Sequence, residues 1–253
     1  TFNNIKDIPE IIFDSVFILC FAQWCLGKRW GWWWGAFLCL GVAMTIKLSA
    51  VLAIFIIVAW LLVLGLHKIF LREPMRRTPL VPVVLGLAVS VFVFFILYPP
   101  LYPWQHGSLL FVINMVRHYS GLCFRSGISW GAYAITQIGY TMPIGLLVFF
   151  VIGLVCIPFR PLSKNRLNVL LVVWTLVPLL WHCIPTINHY DGIRHLLIFI
   201  VPFMIITSIG AQRCLNVLQM FTGFNRTALM IFISALIVVP NLGALIATHP
   251  FQT

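Results

Sequence analysis

Acid is what this chain is shortest of. Among 253 residues only five are Asp or Glu, and charged residues of both signs make up 8%. Walker, HExxH and GxGxxG signatures are absent, so the short motifs of P-loop enzymes, zinc proteases and dinucleotide enzymes do not apply. The seven cysteines form no CxxC and show no metal spacing. Cys20, Cys25, Cys39 and Cys156 fall within apolar runs, where Cys acts as a small apolar residue. Cys214 falls on the side assigned below to the interior, where thiols stay reduced. Cys123 and Cys183 fall on the opposite side, and whether they pair is left open by spacing. A long repeat, a low-complexity linker and a signal-peptide pattern are also missing. Position 1 is Thr, not Met, and the chain is expected to be a piece of a longer protein.

Apolar sequence is what is present. The chain is 62% apolar with a mean hydropathy of +1.05, outside the range of soluble domains. A helix crossing the hydrocarbon core needs roughly 20 mostly apolar residues. Eight runs qualify: Ile11–Leu26, Trp32–Thr45, Ser49–Leu66, Leu80–Leu97, Met142–Pro158, Leu167–Ile184, His195–Ala211 and Ala228–Ala247. Backbone groups in lipid must pair within the segment, so runs of this length are read as helices and not as a barrel. The expected architecture is an all-α polytopic transmembrane bundle of about eight spans. It forms a single transmembrane domain over residues 1–253.

The net charge of +11 does not point to nucleic acid, because its distribution reports topology. With the N-terminus outside, eleven of the sixteen basic residues fall on one side, among them Lys28, Arg29, Arg76, Arg77, Arg213 and Arg226. That side is then the cytoplasmic one. Lys6, Lys47, Arg117, Arg125 and Arg194 fall on the other. Trp30, Trp32, Trp33 and Trp34 beside Lys28 and Arg29 form an interfacial aromatic belt. Inner connections are short, except Gln212–Arg226, which is expected to be partly helical. On the outer side Ile46–Leu48 is a tight turn and residues 98–140 form one long segment. Pro99, Pro100 and Pro103 make its start rigid. Leu109, Val112, Ile113 and Val116 recur at helical spacing, either as a helix lying in the outer interface or as a re-entrant packing element.

Ionisable residues held against lipid mark candidate sites. The densest stretch is Asn188-His189-Tyr190-Asp191-Gly192-Ile193-Arg194-His195. With Lys6, Asp7, Lys47, Arg117, His118 and His182 it places polar groups at the outer mouth, a mix suited to an anionic ligand. Lys47 stands alone between apolar runs. It needs an acid or a phosphate as counter-ion, or it must snorkel. Arg194 has a planar fork suited to phosphate, or it pairs with Asp191 three residues earlier. His189, His195 and Asp191 are too few to define a metal centre. No cofactor is expected, though a divalent metal stays open. His182 reads as a buried core histidine. Asp7, Glu10 and Asp14 sit at helical spacing, either as an acid/base pair or as an acidic cap on the first span. Asp14 reads either as a proton-relay acid or as a partner to a neighbouring helix.

Four stretches carry a resemblance. They are Asn4-Ile5-Lys6-Asp7-Ile8-Pro9; Gly41-Val42-Ala43-Met44-Thr45-Ile46-Lys47; Tyr190-Asp191-Gly192-Ile193-Arg194-His195; and His249-Pro250-Phe251. In that order they resemble membrane glycosyltransferases of the GT-C fold, the superfamily of dolichyl-phosphate-mannose protein mannosyltransferases and lipid A aminoarabinose transferases. The chain departs from the pattern at Ile5, where some members have Pro, and at Ile46, which separates Thr45 from Lys47.

The resemblance implies an inverting enzyme of the bacterial inner membrane with its site facing the periplasm. A polyprenyl-phosphate-linked sugar is the donor. The acceptor is a hydroxyl on a glycan, lipid or protein. Lys47 and Arg194 would hold the donor phosphate, with Tyr190, Asp191, His195, Arg117 and His118 around it. Asp7, Lys6 and His189 would support these groups or the acceptor. The family's catalytic carboxylate lies upstream of the Lys-Asp-Ile-Pro stretch, so the catalytic residue is expected before Thr1 and this piece is expected to be inactive alone. A transporter or lipid flippase, and a non-catalytic membrane subunit, are the alternatives. Polar groups at the mouth and not at mid-span favour the transferase.

Overall fold

A computed structural model of the chain describes residues 6–27, 29–70, 80–98, 133–157, 166–184, 196–223 and 225–248. Every regular element among them is helical. In chain order these are α1 (Asp7–Gly27), α2 (Trp30–Ile46), a 3-10 turn at Leu48–Ala50, α3 (Val51–Phe70), α4 (Leu80–Leu97), α5 (Tyr133–Thr141), α6 (Ile144–Cys156), α7 (Arg166–Trp181), α8 (Leu197–Thr222) and α9 (Arg226–Thr248). Each of the eight apolar runs coincides with one of these helices; α5 is the addition. Asp7–Gly27, Leu80–Leu97 and Leu197–Thr222 are long and apolar enough to cross a membrane. Shorter apolar helical stretches among the described residues are Trp30–Ile46, Val51–His67, Ile144–Cys156, Arg166–Trp181 and Arg226–Ala235.

The connection Gln212–Arg226, expected to be partly helical, is helical over most of its length: it continues α8 as far as Thr222, leaving only Gly223–Asn225 between α8 and α9. From Gln212 to Thr222 the sequence offers no Gly or Pro, and extending a formed helix is cheap compared with starting one. The helix stops where Gly223 takes φ +64, the left-handed conformation in which glycine carries no Cβ penalty.

The chain divides into two compact units. The first holds α1 to α4 and the later part of α7. Here α1 packs along α2, and α2 along α4. The α1–α2 seam is aromatic: Phe17 and Phe21 lie 6.3 and 5.9 Å from Phe37, and Trp33 lies 5.3 Å from the same ring. Between α2 and α4 the backbones come close. A Cβ on Gly41 would lie 2.7 Å from the Ser90 carbonyl oxygen, and one on Gly86 would lie 2.1 Å from the Phe37 ring. Ser90 Oγ donates to the Phe37 carbonyl at 2.7 Å, and Trp33 Nε1 donates to the Pro82 carbonyl at 2.9 Å. Phe55 of α3 stacks on Trp181 of α7 at 5.6 Å.

In the second unit α6 and α8 cross through glycines. A Cβ on Gly153 would lie 2.0 Å from the Ile206 carbonyl oxygen, and one on Gly210 would lie 1.9 Å from that of Phe149. Small residues at a crossing let two backbones approach, the usual basis of helix association in lipid, where hydrophobic drive between helices is lost. Leu215, Leu229, Ile233 and Phe149 close the space between α6, α8 and α9.

Much of the outward surface is apolar, and the described acids are inside. Leu62, Leu80, Phe92 and Ile144 are 60%, 74%, 65% and 82% exposed, while Asp7, Glu10 and Asp14 are 4%, 8% and 1% exposed. Soluble monomers rarely expose continuous apolar surface on this scale. The helices are compatible with a membrane protein.

Candidate functional site

The best-formed polar cluster sits where α1 begins and α2 ends. Asp7, Glu10 and Asp14 lie three and four positions apart on α1, a spacing that puts all three on one face, and all three are buried. The chain leaves α2 at Lys47, whose φ −158 and ψ 134 are extended. The 3-10 turn then carries Ser49 toward the same acids. Lys47 Nζ donates to Asp7 Oδ1 at 3.2 Å and lies 3.3 Å from Glu10 Oε2. Ser49 Oγ donates to Glu10 Oε1.

Two of the readings of Lys47 are thereby decided between. Its counter-ion is a pair of acids, reached across forty positions of sequence, and its side chain keeps 31% of its surface exposed. Burial alone would lower the Lys47 ammonium's pKa. The Glu10 charge and the Asp7 hydrogen bond and charge outweigh it, so the pKa stands above the ordinary lysine value. Asp7 and Glu10 therefore do more than cap α1: they tie its start to the α2–α3 turn. Sequence reasoning missed this link. The available signal was that Lys47 needed a partner and that four of the five acids, Asp7, Glu10, Asp14 and Asp191, lay at or near its side of the expected topology.

Asp14 lies one turn further into α1. It is 1% exposed, and its Oδ1 has no hydrogen-bond partner among the described residues. Ser15 Oγ beside it is likewise unpartnered there. Lys6 is exposed at the helix start. His182 is buried, at 6% exposure, as a core histidine would be. Cys183 is half-buried.

The remaining expected site residues, Arg117, His118, His189, Tyr190, Asp191, Arg194 and His195, lie outside the described residues. So do Cys123, most of the 98–140 segment with its expected interfacial helix, and the carboxylate base expected upstream of Thr1. Among the described residues no group of three or more His, Cys, Asp or Glu is placed to hold a metal ion.

What the cluster offers chemically is a part-exposed ammonium held by two carboxylates, next to a hydroxyl already bonded to one of them. An ammonium has three N–H donors, so Lys47 retains capacity for one more acceptor. A carboxylate that accepts from the Ser49 hydroxyl shows the bond it would make to a hydroxyl of a ligand. No family model, no curated protein and no solved structure matches this chain.

Proposed function

We propose that this chain is the membrane-embedded part of a glycosyltransferase of the GT-C type, with about eight spans. It uses a polyprenyl-phosphate-linked sugar and transfers it, with inversion, to a hydroxyl at the outer face of a bacterial inner membrane. One observation carries the reading. The Lys47–Asp7 pair joins two of the stretches that resemble this family, Lys6-Asp7-Ile8-Pro9 and Thr45-Ile46-Lys47, into one polar cluster at the same end of α1 and α2. Stretches forty residues apart that share a site are expected of a functional motif pair and not of two unrelated matches.

Two carboxylates outnumber one ammonium, so Lys47 alone makes a poor anion site. In this reading the donor phosphate rests mainly on Arg194, whose fork can hold two oxygens. Lys47 supplies its remaining N–H, fixed in direction by Asp7 and Glu10. Cations there stabilise the charge that grows on the departing phosphate, and the carboxylates are placed to orient an acceptor hydroxyl. The test is transfer by the full-length protein in proteoliposomes from a labelled polyprenyl-phosphate sugar. Arg194→Gln should lower kcat/KM at least about tenfold, and Lys47→Gln should lower it less.

A specific observation favours a second reading, the transporter or lipid flippase. Asp14 is a buried acid with an unpartnered oxygen inside an apolar helix, the placement expected of a transport or proton-relay group. Movement of the lipid across the bilayer without a glycosylated product would select that reading.

A further inference from the structure

The second unit holds a polar groove that the proposed reaction does not use. It has a volume of about 550 Å³ and lies between the end of α6, the start of α7 and the middle of α8. Asn168, Gln212, Arg213 and Asn216 supply its polar lining, and Ile205 and Ile209 continue it as apolar surface along α8. The order along α8 is apolar, then polar. Ser208 lies within the apolar stretch, its hydroxyl spent on the Met204 carbonyl at 2.8 Å, and the boundary falls between Ile209 and Gln212.

Helix length fixes where that boundary falls. At 26 residues and 1.5 Å per residue, α8 is roughly 39 Å long, against about 30 Å for the hydrocarbon core. The extension past Ala211 therefore reaches the headgroup layer. Its last turn agrees with this, since Met220 and Phe221 are each 83% exposed, apolar groups suited to lying in an interface.

Charge decides what the groove accepts. The described acids, Asp7, Glu10 and Asp14, all belong to α1, so Arg213 has no carboxylate partner among the described residues of its unit. Gln212 Nε2 donates to Asn216 Oδ1 at 2.9 Å. That bond occupies the Asn216 carbonyl and leaves its N–H donors beside the guanidinium. A guanidinium flanked by amide donors suits a phosphate oxygen, and the isoleucines below suit an acyl chain. Basic pockets between helices at the cytoplasmic interface have this character.

We infer that the groove formed by α6, α7 and α8 is a binding site for one anionic phospholipid, its phosphate on Arg213 and Asn216 and its acyl chain along Ile205 and Ile209. The site needs neither the donor nor the acceptor of the proposed reaction, so it stands or falls apart from it.

The test is native mass spectrometry of the protein released from nanodiscs containing phosphatidylglycerol and phosphatidylcholine in equal amounts. Wild type should retain one phosphatidylglycerol in preference to phosphatidylcholine. Arg213→Gln should retain about fivefold less, the effect of removing one basic side chain from an anionic surface. Asn216→Ala should show a smaller loss, and Arg226→Gln, a basic change outside the groove lining, should show none. Millimolar inorganic phosphate or glycerol phosphate should not displace the lipid, because neither has a chain to lie on the isoleucines. Equal retention of the two lipids by wild type would overturn the proposal, as would undiminished retention by Arg213→Gln. Displacement by inorganic phosphate would show a simple anion site instead. Should Arg213→Gln fail to fold, Asn216→Ala against Arg226→Gln decides the matter.

Discussion

Lys47 Nζ lies 3.2 Å from Asp7 Oδ1 across forty positions of sequence, and a second acid, Glu10, lies 3.3 Å from the same nitrogen. Removing one partner of a buried pair leaves uncompensated charge, and such changes cost about 3–5 kcal/mol. Lys47 is part exposed, so Lys47→Ala should fall near the lower end, about 3 kcal/mol, read from thermal unfolding in detergent. Lys47→Arg should recover most of it. The combined change Asp7→Asn, Glu10→Gln, Lys47→Met should be milder than Lys47→Ala alone, since it removes the charges together. If the triple variant were the least stable of the set, the cluster would not act as an ion pair.

The same pair sets a pH dependence. The folded pKa of Lys47 is raised, so its contribution is complete below the unfolded lysine pKa, about 10.4, and is lost as pH rises through the folded value. The difference in unfolding temperature between wild type and Lys47→Met should be constant from pH 7 to about 10 and shrink above that. A difference that shrinks instead between pH 7 and 9 contradicts the assignment.

Asp14 should behave in the opposite way. A buried polar group without a partner carries a desolvation cost of about 1–3 kcal/mol. Asp14→Leu should therefore leave stability unchanged or raise it. The measurement is the unfolding midpoint of the variant beside wild type. A loss of 2 kcal/mol or more, on the order of a broken buried hydrogen bond, would mean that Asp14 has a structural partner.

The glycines separate into tight and open positions. Gly210→Ala places a methyl 1.9 Å from the Phe149 carbonyl oxygen, and Gly153→Ala places one 2.0 Å from that of Ile206. Backbone must move in both, at a cost of about 1–3 kcal/mol or more. Gly139→Ala in α5 meets nothing within 4 Å and should be neutral or stabilising by up to about 1 kcal/mol. Unfolding midpoints of the three variants check the order, and equal effects would mean that α6 and α8 do not cross as described.

The helices were legible because their signal is composition sustained over many residues. Each apolar run became a helix, and the Trp cluster beside Arg29 begins α2 with Trp30, Trp32 and Trp34 exposed, whereas Trp33, expected in the same aromatic belt, is buried against Phe37. Ends were less legible: the connection Gln212–Arg226 read as only partly helical, although nothing in it stops a helix before Gly223. Within the candidate site, the shared face of Asp7, Glu10 and Asp14 could be read from spacing alone. The partner of Lys47 could not, because a contact across forty positions depends on how α1 and α2 pack, and that is set by ring contacts such as Phe17 and Phe21 on Phe37. Sequence periodicity carries no record of such contacts.

The central claim is that Lys47 and Arg194 serve a polyprenyl-phosphate sugar. The most direct measurement is transfer of labelled sugar by the full-length protein in proteoliposomes, with wild type, Lys47→Gln and Arg194→Gln compared at matched folded amounts. The expected result is a glycosylated acceptor from wild type, and a lower kcat/KM in both variants with the larger loss at Arg194. Folded wild-type protein that binds the lipid but forms no product, or that makes product equally well in both variants, would contradict the claim.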